Sequence, residues 1–594
     1  MDTMQGLKRT KYCGQFTPED IGKEVVACGW VQKTRDLGNL VFIDLRDRSG
    51  ILQLAFDDAT PRDAHEKAGA ARAEFVLMAK GIIRRRESVN KEIATGEIEL
   101  YVSDLRILAK SHTPPFEITD HTNVKEELRL KYRYLDLRRG EMQKALMMRH
   151  KIVKLARDYY DENGFVEVET PILIKSTPEG ARDYLVPSRV HPGSFFALPQ
   201  SPQLYKQLLM LSGYDRYMQV ARCFRDEDLR ADRQPEFTQI DIEMSFVDEE
   251  DVMTINEGFM VKAFKEGLGI DVKAPFPRMP YKEAMDRFGS DKPDTRFGME
   301  LTDLSDILKN CEFKVFQGAL ETGSIRAINA KGAASQLTRK EIDKLVDFVK
   351  TYQAKGLAFT RLTEDGESSS FEKFLTEDEM HAIRERMGAE TGDVILVVAD
   401  GNSQTVYDSL GALRCELAKR LGLIQKGTFN FLWVTKFPLF EYSEEDGRYA
   451  AKHHPFTHPA MEDLDKLESD PGACNARAYD MVLNGCEVGG GSIRINDLEL
   501  QQRMFKALGF DEATAYERFG FLLDAFKYGA PPHGGMAYGL DRLVMLMLEK
   551  DSIRDVIAFP KVQNASELMT QCPAEVDEKS LRELSIKIDI AQKE

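Results

Sequence analysis

The chain has 594 residues, enough for several domains, and its 42% hydrophobic and 30% charged residues are typical of a soluble globular protein. It contains no apolar stretch long enough to span a membrane and no secretory signal pattern, which argues against a membrane protein. Its eight cysteines include no Cys-x-x-Cys pair, which argues against a disulfide framework or a zinc site and predicts a cytoplasmic protein. The net charge of −17 argues against a nucleic-acid partner, but residues 1–112 hold 18 Lys and Arg against 17 Asp and Glu, so composition leaves nucleic-acid binding open.

The first predicted domain, residues 1–112, is an all-β domain with one helix. Its five strand candidates are rich in Val, Ile, Leu and Phe, and a helix-like segment at 61–73 lies between the third and fourth. This order fits the OB-fold, a five-stranded barrel that often binds single-stranded nucleic acid. The strand candidates are 24–33, 39–46, 51–57, 75–86 and 97–108.

A hinge at residues 113–140 and a catalytic domain in two parts follow. The first part, 141–287, begins with a helix at 141–163 that carries apolar residues at helical spacing and ends at Gly164. The second part covers 428–562, and a C-terminal extension covers 563–594. Between the two parts, residues 288–427 alternate strand-like and helix-like stretches, which predicts an α+β insertion domain. Its strand-like stretches are 313–316 and 392–399, and its helices are 338–354 and 409–421.

The segment 222–243 is the most informative part of the chain, because it predicts a β-hairpin with a highly charged loop. On the returning strand, Phe237, Gln239, Asp241 and Glu243 fall on one face and apolar residues on the other. A core does not accept an amide and two carboxylates without partners, so this face is interpreted as the floor of a polar ligand site. Guanidinium groups such as that of Arg225 beside it indicate a phosphate ligand.

Two further segments suit a nucleotide. Gly539 to Arg542 opens an apolar helix, and the first turn of a helix favours phosphate groups. Asp480 and Glu487 lie near a run of three glycines, and paired carboxylates beside phosphates are typical of Mg²⁺ sites. From the residues alone, ordinary packing and a solvated loop remain alternatives for these two segments.

The motifs resemble those of the class II aminoacyl-tRNA synthetases. Residues 164–171 resemble motif one, 224–237 motif two and 535–542 motif three; residues 177–184, 200–207 and 453–457 are similar to the aspartyl-tRNA synthetase family of bacterial type. The resemblance covers nearly the whole chain, with the motifs in the family's order. It implies a multidomain α+β fold with an N-terminal OB-fold barrel, an antiparallel-sheet catalytic domain and an insertion domain.

The same resemblance implies that a homodimer joins L-aspartate to tRNA-Asp through an aspartyl-adenylate, using ATP and Mg²⁺. Arg225 and Arg542 are the implied catalytic residues, and Asp480 and Glu487 the implied metal ligands. The implied aspartate-binding residues are Glu179, Ser201, Gln203, Lys206, Arg225, Gln239, Asp241, His453 and Arg494. The implied ATP-binding residues are Arg225, Asp226, Glu227, Gln234, Phe237, Glu487, Gly539, Leu540, Asp541 and Arg542. The implied anticodon-binding residues are Arg35, Leu37, Phe42 and Gln53.

Three alternatives stay open. A non-discriminating enzyme would also charge the asparagine tRNA; Leu37 stands where such enzymes frequently carry histidine, which favours discrimination. An RNA-free ligase of the same catalytic fold, such as an ammonia-dependent asparagine synthetase, lacks an OB-fold, and the predicted barrel argues against it. An inactive binding paralogue is disfavoured because all the implied ATP-facing residues are present. The family often has an aromatic residue where this chain has Ala55, so we expect a reduced base-stacking surface.

Overall fold

The computed structural model describes residues 2–177, 181–229, 232–444 and 447–590. They form two compact units, one of Met1–Met148 with Arg554–Glu575 and the other of Arg149–Ile553 with Val576–Glu594. Within the described residues, no helix is both long and apolar enough to cross a membrane.

The first unit contains a closed five-stranded barrel, in which the strands neighbour one another in the order β1-β2-β3-β5-β4. Alternate apolar side chains of the strands point inward and pack with α1 into one buried core. The predicted OB-fold is confirmed, and each predicted strand overlaps an observed one. The elements are β1 Glu24–Asp36, β2 Val41–Asp47, β3 Gly50–Phe56, α1 Arg62–Ala70, β4 Val76–Arg85 and β5 Ile98–Ala109, with 3₁₀ turns at Cys13–Gln15 and Pro18–Asp20.

Helices α2 (Glu126–Lys131) and α3 (Arg133–Asp136) follow the barrel, and α4 (Gly140–Glu162) continues from the first unit into the second. Arg133 is buried and donates hydrogen bonds to three backbone carbonyls of residues 554–558, at 2.7 to 2.9 Å. Its carboxylate partner is Asp136, at 2.7 Å. These bonds explain why the segment after residue 553 packs in the first unit.

The second unit is built on an eight-stranded sheet with the order β11-β17-β20-β21-β22-β10-β9-β6. All neighbouring strands are antiparallel except β11 with β17 and β6 with β9. The elements of its first part are β6 Val166–Glu167, β7 Leu185–Pro187, β8 Phe195–Ala197, α5 Gln203–Leu211, β9 Arg216–Phe224, β10 Glu236–Ser245, α6 Glu249–Leu268, β11 Arg278–Pro280 and α7 Tyr281–Phe288.

The insertion forms a separate antiparallel sheet with the order β12-β13-β16-β14-β15. Apolar residues of the central strands alternate between two buried clusters, one on each face, and helices cover both faces. The elements are β12 Thr302–Asp303, α8 Ser305–Leu308, α9 Lys314–Leu320, β13 Ser324–Ala330, α10 Arg339–Lys350, β14 Ala358–Thr363, β15 Gly366–Ser369, α11 Glu377–Met387, β16 Val394–Asp400 and α12 Ser403–Arg420, with a 3₁₀ turn at Glu372–Phe374.

One prediction for the insertion was wrong, because residues 313–316 begin helix α9 and form no strand. Phe316 is buried in the apolar cluster under the sheet, and Phe313 stacks on Phe374 at 4.6 Å between ring centroids. A spacing of three residues therefore brings both rings to one side of the segment, which suits a helix and not a strand.

The chain then returns to the large sheet. The strand order places β22 between β21 and β10, so the predicted hairpin, the glycine run and motif three meet at the centre of the sheet. The elements are β17 Phe431–Thr435, β18 Phe440–Ser443, β19 Arg448–Ala451, β20 Ala478–Leu483, β21 Cys486–Ile493, α13 Leu498–Ala507, α14 Glu512–Phe526, β22 His533–Gly539, α15 Leu540–Met547 and α16 Glu578–Glu583, with 3₁₀ turns at Met461–Lys466, Pro471–Ala473 and Ile553–Asp555.

Candidate active site

A cavity of about 400 Å³ lies over the polar face of β10. Gln239 and Asp241 line it, as the alternation along the strand predicts. Lys206 reaches it from helix α5, and Arg494 enters just after the end of β21. The sheet therefore brings together side chains that are up to 288 positions apart in sequence (206 and 494).

Two cations and two carboxylates form a buried network in this cavity. The ammonium of Lys206 lies 2.6 Å from Oδ1 of Asp241 and 3.2 Å from Oε2 of Glu243. Arg494 donates from Nε and Nη2 to the two oxygens of Glu243, at 2.9 and 3.1 Å. Burial alone would raise the pKa of Glu243, but the charges of Arg494 and Lys206 lower it to about 2. The four formal charges cancel, so the network by itself is neutral.

Every N–H group of Arg494 lies within hydrogen-bond distance of a protein atom. Besides the two bonds to Glu243, Nη1 donates to Oγ of Ser492 at 2.5 Å and lies 2.7 Å from Nε2 of His454, and Nη2 donates to the carbonyl of Gly535 at 3.4 Å. Burial lowers the pKa of His454 well below its usual value, and its Nδ1 lies 3.2 Å from the backbone nitrogen of Phe456, so both ring nitrogens face N–H groups and a neutral ring can accept from only one of them. A substrate carboxylate must displace one of these acceptors to bind Arg494 directly.

His454 is a site residue that the sequence analysis missed. The sequence predicts His453, whose Nε2 lies 3.9 Å from Oδ1 of Asp480 and whose ring packs edge-on against Phe437. Both histidines line the cavity, together with Lys452. The adjacent pair of histidines was the available signal, but sequence alone does not say which of the two faces Arg494.

The start of helix α5 carries the amino-acid candidates Ser201 and Gln203. Oγ of Ser201 accepts from the backbone N–H of Gln203 at 3.3 Å. Nε2 of Gln203 and Oδ2 of Asp241 are buried and have no hydrogen-bond partner within the described ranges. Such atoms cost free energy unless a ligand satisfies them, and both residues line the cavity. Glu179 lies outside the described residues.

A second cavity of about 250 Å³ adjoins the first. The guanidinium of Arg225, just after the end of β9, lies 5.1 Å from the ring centroid of Phe237. Nε of Arg225 is buried and has no acceptor in the part of the chain that is described. Both cavities are lined by five of the same residues, namely Arg225, Glu227, Gln239, Glu487 and Ala537.

Arg542 lies in the first turn of α15 at the edge of this second cavity. Its Nη1 donates to the carbonyl of Glu487 at 2.7 Å and its Nη2 to Asp232 at 2.9 Å. Glu227 accepts from Arg233 at 3.0 Å. These pairs hold the charged loop between β9 and β10 and the first turn of α15 around the second cavity. The predicted residues Gln234 and Gly539 also line the cavity.

The other three predicted nucleotide residues differ in their surroundings. Asp541 lines the second cavity, but it also has structural partners, because it accepts from the backbone N–H of Thr238 at 3.0 Å and is paired with Arg149. Leu540 is buried. Asp226 pairs with Arg182 at 3.6 Å and is absent from the described linings of both cavities. The carboxylate of Asp541 therefore ties helix α15 to β10 and α4.

The carboxylates of Asp480 on β20 and Glu487 on β21 converge over Gly490. A Cβ atom at Gly490 would lie 2.4 Å from Oδ1 of Asp480 and 3.6 Å from Oε1 of Glu487. Burial, followed by the charge of Asp480, raises the pKa of Glu487. Two such carboxylates have the donor chemistry of Mg²⁺, although the described residues contain no cluster of three or more ligating side chains.

In the barrel, the four predicted anticodon residues differ in accessibility. Leu37 lies in the β1–β2 loop and is 70% exposed. Arg35 donates to Gln53 at 2.7 Å and lies 5.7 Å from the ring of Phe42. Gln53 is only 3% exposed, and its amide also donates to Glu99 at 2.6 Å. Leu37 and Arg35 are therefore the more accessible to a base, and Gln53 orients Arg35.

Comparisons with known proteins agree with this architecture. Residues 125–563 match the class II tRNA synthetases (D, K and N), and residues 25–108 match the OB-fold nucleic acid binding domain. The chain is 63% identical over 591 residues to an aspartate–tRNA ligase of Ruminiclostridium cellulolyticum, covering 99% of each chain. It is 60% identical over 592 residues to an aspartate–tRNA(Asp/Asn) ligase of a Thermoanaerobacter species, covering 99% of this chain and 100% of that one.

Among solved structures, the chain is similar to asparaginyl-tRNA synthetase from Pyrococcus horikoshii complexed with asparaginyl-adenylate. The TM-score is 0.58 at 20% identity, covering 93% of this chain and 97% of that chain. At this identity the likeness concerns the fold.

Proposed function

The chain belongs to the class II tRNA synthetases of the D, K and N group, and on that premise we propose how it acts. It is an aspartate–tRNA ligase that uses ATP. The aspartate carboxylate attacks the α-phosphorus of ATP and displaces pyrophosphate, which gives aspartyl-adenylate. A hydroxyl of the terminal tRNA ribose then attacks the adenylate carbonyl and releases AMP. No side chain has to act as a nucleophile, so positioning and electrostatics supply the rate.

The observation that carries this proposal is the position of Arg225 in the lining of both cavities. The reaction brings two anions together, the aspartate carboxylate and the α-phosphate, and charge increases as the new bond forms. A guanidinium with a free buried Nε at the junction can contact both anions and stabilise that charge. Phe237 beneath it offers a face for adenine, and Arg542 a cation for the terminal phosphate.

The first cavity suits aspartate by its charges. The side-chain carboxylate would face Lys206 and Arg494, with the His454 ring moving away from Nη1 to free a donor. The amino group would face Gln203, Ser201 and Asp241, whose unpaired Oδ2 is a ready acceptor. With aspartate, the added ammonium and side-chain carboxylate cancel, so the neutral network stays neutral. Asparagine would bring the ammonium without that carboxylate and leave one uncompensated positive charge in the buried cavity, which disfavours binding.

Asp480 and Glu487 fit a Mg²⁺ ion, since their carboxylates converge over a glycine that has no side chain to separate them. When bound, the ion would supply positive charge beside the phosphates and so favour the departure of pyrophosphate. The protein's own contribution is to hold the two oxygens together at the edge of the nucleotide cavity, where Glu487 lies in both linings.

We propose tRNA-Asp as the principal RNA substrate and charging of the asparagine tRNA as the second candidate activity. Relatives of similar identity are named either aspartate–tRNA ligase or aspartate–tRNA(Asp/Asn) ligase. The side chain of Leu37 is open to solvent on the barrel, so it is available to contact an anticodon base. Charging purified tRNA-Asp and tRNA-Asn in parallel decides between the two.

We also propose a cytoplasmic homodimer, in which the segment of motif one forms the interface. Large apolar side chains between residues 166 and 196 are 37% to 70% exposed, which is a high density for a surface in contact with water. They are Val166, Ile172, Leu173, Leu185, Val190, Phe195 and Phe196. A solution mass near twice the 67.4 kDa of one chain is the expected result of light scattering.

The experiment that tests the proposed chemistry is aspartate-dependent ATP–pyrophosphate exchange by Arg225→Ala. Loss of a buried donor that stabilises the transition state costs about 3–4 kcal/mol, so exchange should fall by a factor of about 100 to 1,000. The matched control is Arg222→Ala, three residues earlier on β9. The guanidinium of Arg222 pairs with Glu236, and Arg222 is absent from the described linings of both cavities. Near-normal exchange by a folded Arg225→Ala protein would contradict the assignment.

A further inference from the structure

Gln239 is the polar residue of β10 that lies where the two cavities meet. It lines both of them together with Arg225, whereas Asp241 is absent from the described lining of the second. The residues directly opposite Gln239 are small, Ala221 on β9 and Gly539 on β22. Its amide has a carbonyl acceptor at one atom and two N–H donors at the other. What Gln239 offers a ligand therefore depends on which of these two atoms faces the cavities.

The orientation of this amide is set by Cys223 on the neighbouring strand. Cys223 lies opposite Phe237 in the register of β9 and β10, so it is the diagonal neighbour of Gln239 on the same face of the sheet. It is buried, and its Sγ lies 3.2 Å from Oε1 of Gln239. A carbonyl oxygen can only accept, so the thiol donates this hydrogen bond. Nε2, with its two N–H groups, is thus the end of the amide left for a ligand.

Hydrogen-bond donors at this position suit the proposed reaction, because the aspartate carboxylate and the α-phosphate meet there. Arg225 contributes a buried Nε that has no acceptor within the described ranges. The N–H groups of Gln239 add a neutral donor beside it. An amide oxygen in their place would repel a carboxylate and would instead suit the amino group of aspartate. The thiol of Cys223 therefore decides the sign of the electrostatic contribution that Gln239 makes.

We propose that Cys223 is a positioning residue, whose thiol holds the N–H groups of Gln239 towards the reacting carboxylate of aspartate. The inference rests on the proposed function and adds a second donor to Arg225 at the reacting centre. A donor that is already oriented before the substrate arrives needs no rearrangement while negative charge develops in the transition state. The amino group is left to the residues on the other side of the first cavity.

The first test is aspartate-dependent ATP–pyrophosphate exchange by Cys223→Ala and Cys223→Ser. Alanine removes the donor and allows the amide to turn over, so kcat/KM for aspartate should fall by a factor of about 3 to 10. Serine keeps an O–H donor at this position and should recover most of that loss. The matched control is Cys474→Ala, which should leave exchange unchanged. Cys474 is also buried, its thiol donates to backbone carbonyls, and it is absent from the described linings of both cavities.

Substitutions of Gln239 test whether Cys223 acts through it. Gln239→Ala removes a hydrogen bond to a charged group, so kcat/KM for aspartate should fall by a factor of about 10 to 100. Adding Cys223→Ala to Gln239→Ala should cause no further loss, because the amide that the thiol orients is gone. Gln239→Glu has nearly the same shape but replaces the N–H donors with a charged oxygen. It should therefore be less active than Gln239→Ala, since it repels the reacting carboxylate.

A thiol with only a packing role would give different results, and any of four outcomes with folded variants overturns the inference. Cys223→Ala keeps normal exchange, or serine recovers none of the loss. The losses of the two alanine variants multiply in the double variant. Gln239→Glu is more active than Gln239→Ala, which would mean that the amide oxygen faces the amino group. Arg225→Ala tests the proposed function separately: if Arg225→Ala loses exchange and Cys223→Ala does not, only the role of Cys223 is refuted.

Discussion

Replacing Arg494 with leucine removes a fully engaged guanidinium from the floor of the aspartate cavity. Glu243 then loses the two charge-assisted hydrogen bonds from Arg494. It stays buried, and Lys206, at 3.2 Å, is the cation that remains beside it. Breaking a buried ion pair by removing one partner costs about 3–5 kcal/mol, so the free energy of unfolding should fall by that amount. Loss of the bond to the substrate carboxylate, worth about 1.5–3 kcal/mol, should raise the aspartate KM by a factor of about 10 to 100.

The two effects are separable with the double variant Arg494→Leu/Glu243→Gln. It removes the unpaired carboxylate charge, so most of the lost stability should return, while the aspartate KM should stay high. Urea denaturation measures the first quantity. Pyrophosphate exchange at varied aspartate and varied ATP measures the second, and the ATP KM should change little, because Arg494 is absent from the described lining of the nucleotide cavity.

Three results would each contradict part of this reasoning. If the double variant regains both stability and aspartate affinity, Arg494 has only a structural role in holding Glu243. If the ATP KM rises and the aspartate KM stays, Arg494 belongs to the nucleotide site. A stable single variant would show that Lys206 alone compensates Glu243.

Two further predictions concern the barrel and pH. Leu37→His should lower the ratio of kcat/KM for tRNA-Asp to kcat/KM for tRNA-Asn, measured at one fixed salt concentration, and leave pyrophosphate exchange unchanged. If this ratio is already near one in the protein without the substitution, the enzyme charges both tRNAs. The pKa of Glu243 in the folded state, about 2, lies below its ordinary value of 4.5. Its ionised form therefore stabilises the fold above pH 4.5, and this contribution is lost as the pH falls towards 2. Between pH 4.5 and pH 2, the free energy of unfolding of Glu243→Gln should therefore depend less on pH than that of the unmodified chain.

Much of the fold followed from local patterns in the sequence. The barrel strands and the long helix at 141–163 have strong periodicity and clear end signals, and the observed helix is Gly140–Glu162. The strand prediction for 313–316 was wrong because a segment of four residues with two phenylalanines fits both the two-residue period of a strand and the 3.6-residue period of a helix. Its helical form is fixed by contacts with Phe374 and the strands above it, which are distant in sequence.

The site was predictable where one strand presents consecutive polar residues on the same face, as β10 does at Gln239 and Asp241. It was less predictable where a distant partner decides the environment. His454 meets Arg494 only because the chain after it turns back towards the end of β21. Likewise, Gln53 looks like a donor for a base until Glu99, 46 residues later, takes its amide.

The glycine run on β21 has a consequence for the chain's tolerance of change. A Cβ at Gly491 would lie 2.0 Å from the carbonyl of Gly535, and one at Gly489 would lie 2.8 Å from that of Ala537, so even alanine has no room at either position. Three adjacent glycines also lose more chain entropy on folding than any other tripeptide would, and they have little preference for the extended form. The shape of the strand is imposed from outside by β20 and β22. A stretch with no room for a side chain at two positions is thus one whose own residues favour no particular conformation.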